Sequence, residues 1–358
     1  MPKSRKSKRT GSTKHVPYVT GFHPPSHTEA TLACGDINSK KYLNPENSFK
    51  PIPKCNSEND WLAQYCEEGQ SFPEFIQTCP WLSKRKCKGV KQEFVSSGTT
   101  LQAKYPKGVI YLVPLGDFNT ESSPDFHSLV EYVKIFCDLP VKTLPKLNLI
   151  NCGNVDFFWS VQETNQIFKI KSRTKNEKYQ LNIISLLSYM PNIVPDDALC
   201  TIALTMSDLY QEKPDLFVAG MAAGNHRVGV FSFCRYDPSI KFSSEFWHEI
   251  TYTKDNWLPE EKKKMILVRS CRLLVHEILH ILGFSHCIYY ECCMNGSGHL
   301  EEDFRQPMFL CPVDLHKLAH LCGLNIVERY HKLRTFFEKF DLGNEVEWID
   351  ERLELIKD

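Results

Sequence analysis

Apolar residues are distributed unevenly along this chain. Up to Pro53, Pro, Ser and Asn are frequent, so this part is poorly suited to a packed core. Residues 58–88 carry Trp61, Leu62, Phe75, Ile76, Trp81 and Leu82, enough for short helices that dock on a larger body. Regular patterning begins near Lys107. Val109–Leu115 is a dense, β-branched apolar run, the pattern of a buried strand. Phe126, Leu129, Val130, Val133 and Cys137 recur at helical spacing, which predicts a helix over 124–137 with Asp125 in its first turn. A short strand is expected at 147–149, a helix opening over 181–187 and a strand at Ala198–Thr205. Runs at 217–222 and 228–233, joined through Gly224-Asn225-His226-Arg227, predict a β-hairpin. Its outer strand either serves the fold alone or pairs with an extended peptide through main-chain hydrogen bonds.

A long helix is expected from Pro259 to about Leu282, with Glu260 and Glu261 in its first turn, where Pro and acids are favoured. Leu267, Cys271, Leu274, Ile278 and Ile281 form one apolar stripe along it. Further helices are predicted over 315–324 and 327–340, the latter facing Val327, Leu333, Phe336, Phe337 and Phe340 inward. Strands alternating with helices give an α/β fold with a mixed sheet. The expected division is an accessory, partly disordered extension over 1–100, a main domain over 101–341 and a solvated tail over 342–358.

Composition narrows the class. The 358 residues are 42% hydrophobic and 24% charged, ordinary for a globular chain, and 43 basic side chains balance 43 acidic ones. Such neutrality offers no global case for a nucleic-acid partner. The first fifteen residues, MPKSRKSKRTGSTKH, are basic and lack an apolar segment, so no secretory signal is expected there. They read as a solvated basic tail, with a nuclear localisation signal as the sharper alternative. No run approaches the ~18 apolar residues of a membrane span. A cytoplasmic or nuclear monomer follows as the expectation. In that setting the 15 cysteines are reduced thiols or metal ligands. Cys34, Cys55, Cys66, Cys79 and Cys87 show no C-x-x-C pairing and read as ordinary thiols.

The chemistry is concentrated in 276–287, which reads H-E-x-x-H-x-x-G-x-x-H-C. His276 and His280, four apart on the predicted helix, share the face opposite its apolar stripe, the spacing two imidazoles need for one zinc ion. Glu277 lies between them and can reach a water at the metal without being a ligand. On an unbroken helix His286 would lie roughly 9 Å beyond His280. It can join them only if the chain turns, and Gly283 is the residue able to turn it at little steric cost. By chance the full pattern would arise in roughly 1 of 20,000 such chains, so coincidence is a poor explanation.

Cys287, Cys292, Cys293, Met294 and Cys311-Pro312-Val313-Asp314 follow. Thiolates favour zinc, and four such ligands close a structural tetrahedral site. On His276, Glu277, His280, Gly283, His286, Cys287, Cys292 and Met294 the chain resembles the archaemetzincins, whose pattern is H-E-x-x-H-x-x-G-x-x-H-C-x4-C-x-M followed by C-x-x-C. The resemblance implies a compact metzincin-like domain, a catalytic zinc on three histidines, a structural zinc on four cysteines, and Met294 as the residue packed beneath the catalytic metal. The chain departs from the pattern at Asp314, where the last cysteine is expected. Asp314 either ligates with Cys287, Cys292 and Cys311 or caps the following helix; Cys293, His316 or Cys322 could replace it as ligand.

The implied activity is hydrolysis of peptide bonds in a peptide or protein substrate, in aminopeptidase or endopeptidase form. Glu277 would be the general base toward a zinc-activated water. The competing class is a degenerate, non-catalytic zinc protein that only binds peptides.

Overall fold

The computed structural model describes residues 21–36, 48–151, 156–161, 166–175, 178–213, 215–242, 250–252 and 257–356. The basic stretch at 1–15 lies outside the described residues. Short helices come first: α1 (His27–Ala33), α2 (Trp61–Gln64), α3 (Phe72–Thr78) and α4 (Leu101–Lys104). Serine boxes start α1 and α3, where Ser26 and Ser71 accept from the amides of Glu29 and Glu74, whose carboxylates reach back. Then follow β1 (Val109–Leu115), α5 (Phe126–Cys137), β2 (Val141–Thr143), β3 (Asn148–Asn151), β4 (Asp156–Val161), β5 (Gln166–Lys175), β6 (Lys178–Asn182) and α6 (Ile183–Tyr189). Next are β7 (Ala198–Thr205), β8 (Asp208–Tyr210), β9 (Gly220–Ala223), β10 (Val228–Ser232), β11 (Ile240–Phe242) and β12 (Ile250–Tyr252). Helices close the chain: α7 (Pro259–Ile281), α8 (Leu300–Arg305), α9 (Pro312–Cys322), α10 (Ile326–Lys339) and α11 (Gly343–Ile356).

The central sheet runs β2-β1-β7-β10-β9. Its first four strands are mutually parallel and β9 is antiparallel at the edge, so the sheet is mixed as the alternation of elements implied. β1 and β7 are buried on both faces, which explains their unbroken apolar runs. β9 and β10 form the expected hairpin, with Arg227 in its turn at positive φ. A second sheet, β3-β4-β5-β6-β8, is antiparallel except where β6 meets β8. The expected helix at 181–187 is displaced by two residues because Leu181 belongs to β6 and Asn182 caps α6.

α7 packs on α5 and touches β9 and β10. Its expected apolar stripe is buried, but so is nearly everything else from Ile266 to Ile281; Arg269, Glu277 and His280 are only partly covered. The helix is thus an interior one rather than one face in and one face out, because α5, α8 and the N-terminal segments wrap it.

Two expectations need correction. Within the expected solvated tail at 342–358, Gly343–Ile356 form helix α11, packed on α10, with Ile349, Arg352 and Leu353 buried and Arg352 over the Phe49 ring. And the residues before 100 contribute to the main core through Cys34, Phe75, Cys79 and Trp81. Asp60, accepting from His299 and Arg305, and Glu302, accepting from the Trp61 amide, fasten α2 to α8.

Candidate metal centres

α7 ends in a Schellman turn. Gly283 takes φ +98°, its amide bonds the His280 carbonyl at 3.0 Å, and the Phe284 amide bonds the Leu279 carbonyl at 3.0 Å. This turn brings His286 back to the face carrying His276 and His280. The ring centroids lie 4.6, 4.8 and 5.5 Å apart, and one nitrogen from each ring falls within 4.8 Å of the others.

The outer ring nitrogens are all engaged. His276 Nδ1 donates to the Cys293 carbonyl at 2.7 Å, His280 Nδ1 to the Phe284 carbonyl at 2.8 Å and His286 Nδ1 to Glu67 Oε1 at 2.7 Å. Carbonyls only accept, so His276 and His280 carry their protons on Nδ1. Burial, then the neighbouring histidines, holds both below the ordinary imidazole range, His280 at about 4, so the rings are neutral. Their Nε2 lone pairs therefore face each other across 3.0 Å. That contact is repulsive unless a cation is shared, and the donor set fits zinc. Glu277 is pushed up to about 8 by burial and then by the charge of Asp303, itself bonded to the Tyr236 hydroxyl at 2.8 Å.

The second cluster is fully enclosed. Sulfurs of Cys287 and Cys311 are 3.5 Å apart, too far for a disulfide. Asp314 Oδ2 lies 3.3 Å from Cys292 Sγ and 3.5 Å from Cys311 Sγ. All four residues are buried, with ligand atoms within 4.8 Å of one another. Cys293, His316 and Cys322 are not in this group; His316 instead donates Nδ1 to the Cys34 carbonyl and stacks on Phe72. The capping alternative for Asp314 fails as well. α9 starts at Pro312, three residues before the expected boundary, and its N-cap is Cys311, whose sulfur accepts from the Asp314 amide. Burial raises Asp314 to about 6 against the pull of Lys317. Burial also lifts Cys292 and Cys311 well above the usual thiol range, whereas at Cys287 bonds from both outweigh it.

Several contributors carry no local sequence signal. Glu67 reaches His286 across 219 positions and also accepts from Trp61 Nε1 at 2.6 Å. Burial opposes its charge, but those bonds prevail and its pKa is lowered. Lys317 was findable: it stands three residues after Asp314 on a predicted helix, and it holds Asp314 Oδ1 at 2.8 Å with both side chains enclosed.

Comparison with known proteins agrees with this geometry. Residues 166–320 match the Peptidase family M54. Archaemetzincin-2 of Mus musculus is 31% identical over 322 residues, covering 85% of this chain and 76% of the relative.

The chain belongs to the archaemetzincins.

Archaemetzincin-2 of Homo sapiens is likewise 31% identical, with 85% and 75% covered. The crystal structure of archaemetzincin from Archaeoglobus fulgidus complexed with malonate is 21% identical, covers 58% of this chain and 99% of its own, and has a TM-score of 0.38. The matched model is that of a peptidase family, so a peptide substrate comes with membership. Among the described residues, no helix is long and apolar enough to cross a membrane.

Proposed function

We propose that this archaemetzincin hydrolyses peptide bonds with a catalytic zinc held by His276, His280 and His286. The observation that carries this reading is the pair of neutral imidazole Nε2 atoms facing each other at 3.0 Å beside the third ring. Three histidines leave a fourth coordination position, the arrangement of catalytic rather than structural zinc sites. When bound, zinc supplies Lewis acidity, making water acidic near neutral pH and polarising a peptide carbonyl. Glu277 is the general base: it accepts the proton of the attacking water and returns it to the leaving amine. A zinc ion on the three histidines would place positive charge beside Glu277 and favour the carboxylate form that a base needs, against the effect of burial. β9, at the edge of the central sheet, offers main-chain groups to an extended substrate.

A second, structural zinc belongs to Cys287, Cys292, Cys311 and Asp314. Their shared enclosure and the approach of Asp314 Oδ2 to two sulfurs support it. Asp314 thus stands as a replacement ligand, which weakens the one sequence feature favouring a non-catalytic module.

The test is zinc stoichiometry combined with turnover of a peptide library, with and without a chelator. Two zinc ions and chelator-sensitive cleavage are expected. One zinc ion without cleavage would establish the module instead. The cleavage pattern also separates aminopeptidase from endopeptidase action.

A further inference from the structure

His276 and His280 are fixed by the helix that carries them and by carbonyl partners 17 and 4 positions away. His286 lies beyond the helix end and lacks that support. The chain supplies it from residues before 83. Trp81 Nε1 donates to the Ile281 carbonyl at 3.0 Å, Cys79 Sγ to that of Leu282 at 3.5 Å and Gln70 Nε2 to that of Gly283 at 3.2 Å. Gln70 Oε1 accepts from the Ser285 amide at 3.2 Å. These carbonyls at the end of α7 have few partners within the helix, so the early segment is in effect its C-cap. A Cβ on Gly69, at φ +70°, would come within 2.6 Å of Ile288, so the segment lies directly on the stretch after His286.

We infer that Glu67 is the positioning residue of the third histidine: its carboxylate holds His286 Nδ1 and so turns Nε2 toward the other two rings. A carboxylate acceptor fixes the tautomer and raises the basicity of the ligand nitrogen. Trp61 fixes the carboxylate in turn. Its indole N–H donates to the same oxygen at 2.6 Å, and its ring stands edge-on to His286 at 5.3 Å. Trp61 is itself held by Tyr65, whose ring lies 4.2 Å away at a 31° tilt, and by Glu302 on its amide at 2.8 Å. The role of Glu67 rests on the reading that the three histidines bind zinc.

The test uses the full chain loaded with zinc, with Glu67→Ala, Glu67→Gln and His276→Ala compared. Zinc content, zinc affinity by competition with a chromophoric chelator, and melting temperature with and without zinc are measured. Glu67→Ala should weaken one zinc ion about 10–100-fold and leave the other unchanged. Glu67→Gln keeps an acceptor oxygen without the charge, preserves volume, and should fall between. Unchanged zinc affinity in Glu67→Ala overturns the inference, including when its melting temperature falls equally with and without zinc, since that is packing alone. If His276→Ala retains full zinc content, the histidine site itself is overturned and the role of Glu67 with it. If His276→Ala loses zinc while Glu67→Ala binds normally, only the role of Glu67 fails.

Discussion

The two clusters adjoin in sequence at His286 and Cys287, yet they are built on opposite plans. The cysteine cluster is enclosed on every side, draws all its members from 287–314 and has its one carboxylate neutralised by a buried lysine. The histidine cluster is partly open; nearby carbonyls orient two of its rings, and Glu67, 219 positions away, orients the third. A closed set can be placed by its own neighbourhood. An open set must leave room for a substrate, so its orientation comes from outside. Enclosure and reach are alternative ways of fixing a metal ligand.

The largest effect is expected for Glu277→Gln, which should keep zinc and lower kcat by about 10²–10⁴-fold, the usual contribution of a general base. Full turnover in a zinc-replete preparation would remove Glu277 from the mechanism. Cys311→Ser should act on stability instead, at about 4 kcal/mol or more, in the range of a lost metal site. Thermal melts with zinc analysis check this; a variant that melts normally but is inactive would reverse the roles of the two clusters.

Lys317→Met should cost about 3 kcal/mol, since it strands a buried carboxylate. Adding Asp314→Cys to it removes the stranded charge and should recover most of the loss in denaturant titrations. A double variant no more stable than Lys317→Met alone would show that Lys317 acts by packing on Phe75 and Phe284, near 6.0 and 5.8 Å, rather than through Asp314.

The smallest effect concerns acid in the zinc-free protein. His276 and His280 have depressed folded-state values, His280 at about 4 against 6.5 unfolded. That stabilisation is complete above the unfolded value and is lost as pH falls toward 4, on the order of 1–3 kcal/mol for His280 alone. Melting temperatures between pH 7.5 and 4.5 report it, and a flat profile would mean the rings titrate in the folded state as they do unfolded.

Legibility in the sequence followed distance along the chain. β1, β7, the β9–β10 hairpin and α7 were readable because period, Gly, Pro and first-turn acids act locally. The three histidines were readable because one helix and one turn set their geometry. The polar surface of α11 hid a helix whose buried side includes Ile349 and Leu353. The start of α9 was misjudged because a cysteine serves as its N-cap. Trp81 was expected to dock on the body, but the partners of Glu67, Gln70 and Trp81 could not be read: they stand 219, 213 and 200 positions away, and no spacing rule spans such an interval.

That same separation bears on how the protein is made. The stretch that caps α7 leaves the ribosome roughly 200 residues before the carbonyls it will bond, which takes about 10–40 s at ordinary synthesis rates. Until then Phe75 and Trp81, both buried in the finished protein, lack their partners on and after α7. Closing so long a loop adds little to the equilibrium cost but slows folding. The turn bearing His286 is therefore a late assembly step, completed only when residues 67–81 meet the end of α7.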